Sequence, residues 1–165
     1  LLTLIIRHMT QDDIPFVQEI SRTSWHATYE GIIPRPIQDK FLQTAYSRNR
    51  LMHRFQDSPF FVAEHNGTLV GFANFSNVKD ELAELFAIYL IPKIQGQGIG
   101  TALLQHGMQA LQGAKSLTVC VEKDNITGVH FYNAKGFQIS DEFDDQFDGH
   151  ILKTVRMVLE LPPAE

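Results

Sequence analysis

The sequence holds one cysteine, Cys120, among 165 residues. No disulfide can form within the chain and nothing calls for an oxidising compartment, so a cytoplasmic location is the expectation. No apolar run approaches the ~20 residues needed to cross a bilayer, and a membrane partner is not expected. The apolar start, Leu1 to Ile6, is too short to span and lacks the basic region and cleavage site of a signal peptide; it reads as a first strand. Basic charge is scarce as well. Fourteen Lys and Arg against 19 Asp and Glu leave a net charge of -5, which supplies no basic face for a phosphate backbone and argues against nucleic acid. The seven histidines are scattered and the acidic residues lack ligand spacing, so no metal site is expected.

What is present is an ordinary globular composition, 44% hydrophobic, enough to bury a core in one domain spanning 1-165. Asp12 or Asp13 can cap a first helix with Ile14, Val17, Ile20 and Trp25 at helical spacing; Pro15 favours Asp12. Gly31 to Pro36 breaks the periodicity, and Phe41, Leu42, Tyr46, Leu51 and Phe55 mark a second helix. Phe60 to Glu64 and Thr68 to Phe75 are β-prone runs joined by Asn66-Gly67, a pair suited to a tight hairpin turn. Ala83 to Leu90 predicts a strand ended by Pro92, and Thr101 to Leu111 a helix in which Gly107 costs roughly 1 kcal/mol against alanine, implying close packing. Leu117 to Val121 is a strand, Ile126 to Lys135 a helix stopped by Gly136, and Phe137 to Phe143 with Lys153 to Leu161 a last strand pair. This order makes an α/β domain around a mixed sheet.

The most informative stretch runs from Ile88 to Thr101, where a strand leads through Gly96, Gly98 and Gly100 into a helix. Glycines at alternate positions let consecutive backbone N–H groups turn toward one point at a helix start, where free donors and the helix dipole favour a phosphate. A pyrophosphate is the natural guest. The spacing is not the dinucleotide fingerprint, and no lysine follows the glycines as a P-loop requires.

These residues resemble the GNAT superfamily of acyl-CoA-dependent N-acetyltransferases, whose Gln/Arg-x-x-Gly-x-Gly/Ala signature is matched by Gln95-Gly96-Gln97-Gly98-Ile99-Gly100. The resemblance extends back through Ala83 to Leu90, forward to Asn125 and to Phe131-Tyr132-Asn133-Ala134-Lys135-Gly136-Phe137, and more loosely to Thr23–Tyr29 and Gly31–Pro34. It implies a GNAT fold, a central mixed and splayed β-sheet flanked by helices, with acetyl-CoA as co-substrate in the splay. By the same resemblance the edge of Ile88, Tyr89 and Leu90 pairs with the pantetheine arm. Gln95, Gly96, Gln97, Gly98, Ile99, Gly100 and Thr101 hold the pyrophosphate, Asn125 and Tyr132 touch the cofactor, and Lys135 reaches a phosphate or an acidic neighbour.

The chemistry sets further expectations. A primary amine with a pKa of about 10.4 must lose a proton before it attacks, the carbonyl oxygen needs an N–H donor from the Tyr89 or Leu90 region, and the thiolate needs a proton, a role the resemblance assigns to Tyr132. Glu84 is the first candidate for the base because it interrupts an apolar strand; a solvent-facing or ion-paired carboxylate is its other reading. Glu122 is a second candidate, on the face of Cys120 by strand alternation. Cys120 itself, between Val119 and Val121, reads as a core thiol. Trp25, Tyr29 and Glu30 are the expected acceptor pocket, with rings to hold a cation and a carboxylate to counter an ammonium, although the two rings can equally pack under the loop. The acidic run Ser140 to Asp148 reads as a solvated hairpin that would draw a polycation if it faced the acceptor. The acceptor is then a small-molecule or peptide amine, a polyamine among the candidates. A non-catalytic acetyl-CoA sensor, a longer acyl-CoA donor and an aminoglycoside-like acceptor stay open, and a homodimer formed by pairing of Thr154 to Leu159 is a further expectation.

Overall fold

A computed structural model describes residues 3–162. The expected first strand is β1, Leu4–His8, shifted toward Arg7; Leu1 and Leu2 lie outside the described residues. Three helices follow, α1 (Ile14–Tyr29), α2 (Arg35–Ala45) and α3 (Arg48–Asp57), where the sequence predicts two. The second stretch divides at Tyr46, because the Ser47 side chain accepts the Arg50 N–H at 3.2 Å and starts a new helix. The cap ahead of α1 is also different. Thr10 begins a single 3-10 turn and Asp13 closes a capping box with it, accepting the Thr10 N–H at 2.8 Å, so Asp12 caps nothing. Asp13 is drawn inward by Arg7, which donates to its two oxygens at 2.8 and 2.9 Å and bridges to Glu64 at 2.9 Å.

Strands β2 (Phe60–His65) and β3 (Thr68–Phe75) form the expected hairpin, with Asn66 at φ 54 and Gly67 at φ 81. Then come β4 (Leu82–Leu90), α4 (Ile99–Ala110), β5 (Ser116–Glu122), α5 (Ile126–Ala134), β6 (Gln138–Phe147) and β7 (His150–Glu160). They build a seven-stranded mixed sheet in the order β1-β2-β3-β4-β5-β7-β6, antiparallel except where β4 meets β5. Strand β7 lies between β5 and β6 with both of its edges paired, so Thr154 to Leu159 has no free edge to offer a second copy.

Both faces of β2 are covered, which accounts for its unbroken apolar run. Phe61 and Ala63 join the core under α4 with Leu103, Leu104, Leu85 and Leu117; Phe60 and Val62 join the core under α1–α3 with Ile14, Val17, Ile20 and Leu51. Each of the buried Phe, Leu, Ile and Val side chains contributes about 1.5–3 kcal/mol. Gly107 lets α4 lie on the sheet, since a Cβ there would sit 2.1 Å from the Phe75 ring. Among the described residues no helix is long and apolar enough to cross a membrane.

Candidate functional site

The site begins with a break in pairing. Strands β4 and β5 are parallel partners only over Leu82–Leu85 against Ser116–Val119. Beyond that point β5 stays with β7, while β4 stays with β3 through a bulge: Asn74 pairs with Ala87 and Phe75 with Leu85, leaving Phe86 as the extra residue. The bulge bends β4 away from β5. From Phe86 to Leu90 the β5-facing edge of β4 has no strand partner among the described residues. Its peptide groups are left for something else to pair with.

A cavity of about 610 Å³ opens in this gap, within the size range of small-molecule sites. One wall is Phe86 to Leu90; the other is Val119 to Val121 with Asn125, Phe131 and Tyr132. At its end lie Pro92, Gln95, Gly96, Gly98, Gly100 and Thr101. Gly96 (φ 85) and Gly98 (φ 80) occupy the left-handed region, and a Cβ at either would meet nothing within 4 Å, so these two are required by backbone conformation. Gly100 is required by neither conformation nor space: it lies outside the left-handed region, and a Cβ would make an ordinary contact at 3.4 Å with the Phe131 ring. Gly98 immediately precedes α4, whose first intrahelical bond runs from the Ala102 N–H to the Gly98 carbonyl. The amides of Ile99, Gly100 and Thr101 are therefore free of the helix ladder. Free amides of this kind, with the helix dipole behind them, are suited to an anion.

Of the residues singled out from the sequence for the cofactor, Ile88, Tyr89, Leu90, Gln95, Gly96, Gly98, Gly100, Thr101, Asn125 and Tyr132 line this cavity. Gln97, Ile99 and Lys135 do not: Ile99 is buried in the core, and the Lys135 ammonium lies 5.6 Å from the centre of the Phe131 ring. Asn125 caps α5 by accepting the Gly128 N–H at 3.0 Å. Tyr132 is 8% exposed, packed edge-on against Phe131 and Phe137, and burial, then the neighbouring Tyr29, pushes its hydroxyl pKa well up.

The three residues expected around the acceptor are split apart. Tyr29, at the end of α1, lines the cavity, and its hydroxyl lies 3.4 Å from that of Tyr89. Trp25 is 6% exposed, stacked on Phe41 at 4.6 Å and absent from the lining. Glu30 opens onto a second cavity of about 490 Å³ with Arg35, Gln38 and His150. His26 is held by Asp39 at 2.8 Å.

Glu84 lies in the paired part of β4, outside the cavity lining; burial raises its pKa, opposed by Arg156. Cys120 is not a core thiol. It is exposed and lines the cavity, because strand alternation sends Val119 and Val121 into the core and Cys120 to the opposite face. Burial of its sulfur and then Glu84 push its pKa up, which keeps it a thiol. The acidic run is partly neutralised: Asp141 meets Arg156, Glu142 meets Lys123 and Asp148 meets Lys40. Among the described residues no cluster of three His, Cys, Asp or Glu could hold a metal. Phe86, Ala27 and Thr28 are lining residues the sequence did not suggest; the bulge exposing Phe86 arises from pairing and leaves no local signal.

Comparison with known proteins shows the family of the chain. The model of the Acetyltransferase (GNAT) family matches residues 17–137. The chain belongs to the GNAT acetyltransferase family. A spermidine N(1)-acetyltransferase of Thermoplasma acidophilum is 27% identical over 88% of the chain and 95% of the relative. The uncharacterized N-acetyltransferase YuaI of Bacillus subtilis is 30% identical over 91% of the chain and 89% of its own length. Among solved structures, the PaiA N-acetyltransferase of Thermoplasma acidophilum in complex with coenzyme A superposes with a TM-score of 0.84 at 25% identity, covering 93% of this chain and 98% of that one. The ribosomal-protein-S18-alanine N-acetyltransferase of Escherichia coli shares the fold, with a TM-score of 0.71 at 23% identity over 99% and 97% of the two chains. This chain is thus an acetyl-CoA-dependent N-acetyltransferase with the mixed, splayed sheet of its family.

Proposed function

We propose that the enzyme moves the acetyl group directly from acetyl-CoA to a primary amine of a small cationic acceptor of the polyamine kind. The observation that carries the donor side is the unpaired edge Phe86–Leu90, running along the cavity toward the left-handed glycines. A pantetheine arm with two amides matches that edge, and a pyrophosphate matches the free amides before Ala102. Gln97 and Ile99 contribute through their backbone, and Lys135 lies outside the lining. The acceptor side draws support from the spermidine-acetylating relative, from the net charge of -5 and from the buried Glu122 and exposed Asp124 beside the gap. A cytoplasmic setting belongs to the same reading, and the unpaired, exposed thiol of Cys120 agrees with it.

In this reading a β4 backbone N–H steadies the oxygen of the tetrahedral intermediate. After the ammonium gives one proton to water, nitrogen bonds to the acetyl carbon, the carbon–sulfur bond breaks, Tyr132 gives its hydroxyl proton to the departing sulfur, and the proton then shed by nitrogen restores that hydroxyl. The raised pKa of Tyr132 keeps that proton in place until the thiolate forms. Release of free CoA, measured with polyamines, amino acids, aminoglycosides and N-terminal peptides, tests the assignment. Turnover is expected with polyamines, and Tyr132→Phe should lower kcat about 10²-fold with acetyl-CoA affinity retained. Binding of acetyl-CoA without turnover of any amine would replace the enzyme reading with that of a sensor, and full activity in Tyr132→Phe would remove the tyrosine from the chemistry.

A further inference from the structure

The lining of the main cavity is poor in charged side chains. It holds no lysine or arginine, and its one acidic residue is Asp124, exposed at the turn from β5 into α5; Glu84 and Glu122 lie outside it. The two ligands of the proposed reaction are nevertheless oppositely charged, a pyrophosphate and an ammonium. The free amides at the start of α4 suit the first. The second needs hydrogen-bond acceptors, and the backbone supplies them at the end of α1.

Helix α1 stops abruptly at Tyr29. Glu30 leaves the helix at ψ 126 and Gly31 follows at φ 79, so the next amides do not continue the ladder. The Ile32 and Ile33 N–H groups both turn to the Tyr29 carbonyl, at 2.9 and 3.0 Å, and the Gln38 side chain donates to it at 3.2 Å. One carbonyl thus takes three donors. Among the described residues no hydrogen bond reaches the carbonyls of Ala27 or Thr28, which Gly31 and Ile32 would have satisfied in a continued helix. Helices α2, α3 and α5 end differently, because the first amide past each still bonds the carbonyl four residues back: Tyr46 to Leu42, Ser58 to Arg54 and Lys135 to Phe131. Ala27, Thr28 and Tyr29 all line the main cavity, and Ala27 is exposed with only a methyl beyond its backbone. Bare carbonyls at a helix end carry the negative pole of its dipole, which favours a cation. The Tyr29 ring adds an aromatic surface on the same wall. One space is therefore bordered by the amide end of α4 and the carbonyl end of α1.

We infer that the backbone carbonyls of Ala27 and Thr28 receive the ammonium that is to be acetylated, holding it by hydrogen bonds and by the α1 dipole. The inference rests on the acetyltransferase reading of the cavity. A primary ammonium has three N–H donors. Two go to the adjacent carbonyls and the third is left to water, which takes that proton before the nitrogen attacks. The neutral amine then keeps both carbonyls with its remaining N–H groups, and its lone pair stands in the third direction, free to bond to the acetyl carbon. A secondary amine, with one N–H fewer, cannot keep both carbonyls after losing its proton, so the arrangement selects primary amines. Cation recognition in this site is thus a property of where α1 ends rather than of a carboxylate side chain.

Ala27→Lys places a resident ammonium at the carbonyl end, and Ala27→Met adds comparable bulk without charge. Relative to the Met variant, the Lys variant should raise KM about 10-fold for spermidine, or for the panel amine that wild type acetylates. Its kcat should change less, and its affinity for acetyl-CoA by calorimetry should be no weaker. A lysine in the last turn suits the helix dipole, so the melting temperature should not fall and misfolding is separated from the effect. In a second measurement, wild type saturated with CoA, which cannot react, is titrated with the amine and with the same molecule trimethylated at its terminal nitrogens. The charge is kept and the N–H donors there are gone, so binding should weaken at least about 10-fold. Equal KM values in the two Ala27 variants, or equal binding of the trimethylated amine, overturns the inference and leaves the acetyltransferase reading standing. So does an Asp124→Asn enzyme whose KM rises more than that of Ala27→Lys, since the carboxylate would then be the receptor. A wild type that binds acetyl-CoA and acetylates no amine overturns both.

Discussion

Replacing Gly98 by alanine isolates the backbone requirement at the anion end of the cavity. Gly98 holds φ 80 immediately before α4, and an added Cβ would meet nothing within 4 Å, so packing gives no reason for the variant to fail. The left-handed conformation costs an L-residue about 1–2 kcal/mol. In the free protein the exposed loop can relax toward negative φ and shed that strain, with little change in melting temperature. Binding acetyl-CoA requires the amides of Ile99, Gly100 and Thr101 to converge again, so the strain reappears in the affinity as a loss of about 5–30-fold. Calorimetric titration with acetyl-CoA reads this directly, and Gly98→Asn, which tolerates the left-handed region better, should recover most of it. Wild-type affinity in Gly98→Ala, or a melting temperature that falls in step with affinity, would refute the reasoning, because the glycine would then serve the fold.

Two stability predictions accompany it. Gly107→Ala gains about 1 kcal/mol of helix propensity but drives a methyl to within 2.1 Å of the buried Phe75 ring, an overpacking cost of about 1–3 kcal/mol; a net loss of about 1 kcal/mol should lower the thermal midpoint by about 2–4 °C, and a rise would show that the helix can shift. Asp13→Asn should cost about 2–3 kcal/mol in urea unfolding at neutral pH: a buried partner is removed, discounted because the Arg7 side chain is a third exposed and keeps Glu64. Burial alone would raise the Asp13 pKa, but the Arg7 bonds and the Thr10 amide outweigh it and leave it lowered. Its stabilisation is therefore complete above the ordinary carboxylate pKa of about 3.9 and lost as pH falls further, so the gap between variant and wild type should close in acid.

The parts of the fold that were legible in the sequence were those fixed by local backbone chemistry. Asn66-Gly67 forms the hairpin turn its sequence signals, and Gly96 and Gly98 hold the positive φ that glycine alone adopts without strain, just ahead of α4. Where a residue's partner lies far along the chain, the reading went astray. Asp13 closes a local capping box with Thr10, but what buries it is Arg7, whose other carboxylate partner, Glu64 on β2, is 57 residues away and invisible to capping rules. The apolar neighbours Val119 and Val121 suggest a core thiol at Cys120, yet alternation along β5 sends it to the opposite face. Trp25, Tyr29 and Glu30 are close in sequence, yet a turn of helix and its end distribute them to a packed core, the main cavity and a second cavity. The central position of β7 follows from long-range pairing and is invisible in its residues.

The seam between β4 and β5 has a mechanical side. Strands β1 to β4 are tied to one another in sequence, as are β6 and β7 by their turn and β5 to β7 along its whole length. The two halves of the sheet share a ladder only from Leu82 to Leu85. What holds the halves together past that joint is side-chain packing, since Phe61, Leu85, Val119 and Met157 belong to one core. The cavity is thus a seam closed by hydrocarbon on one face and open in its hydrogen bonds, and a ligand with amides along Phe86–Leu90 would supply the rungs it lacks.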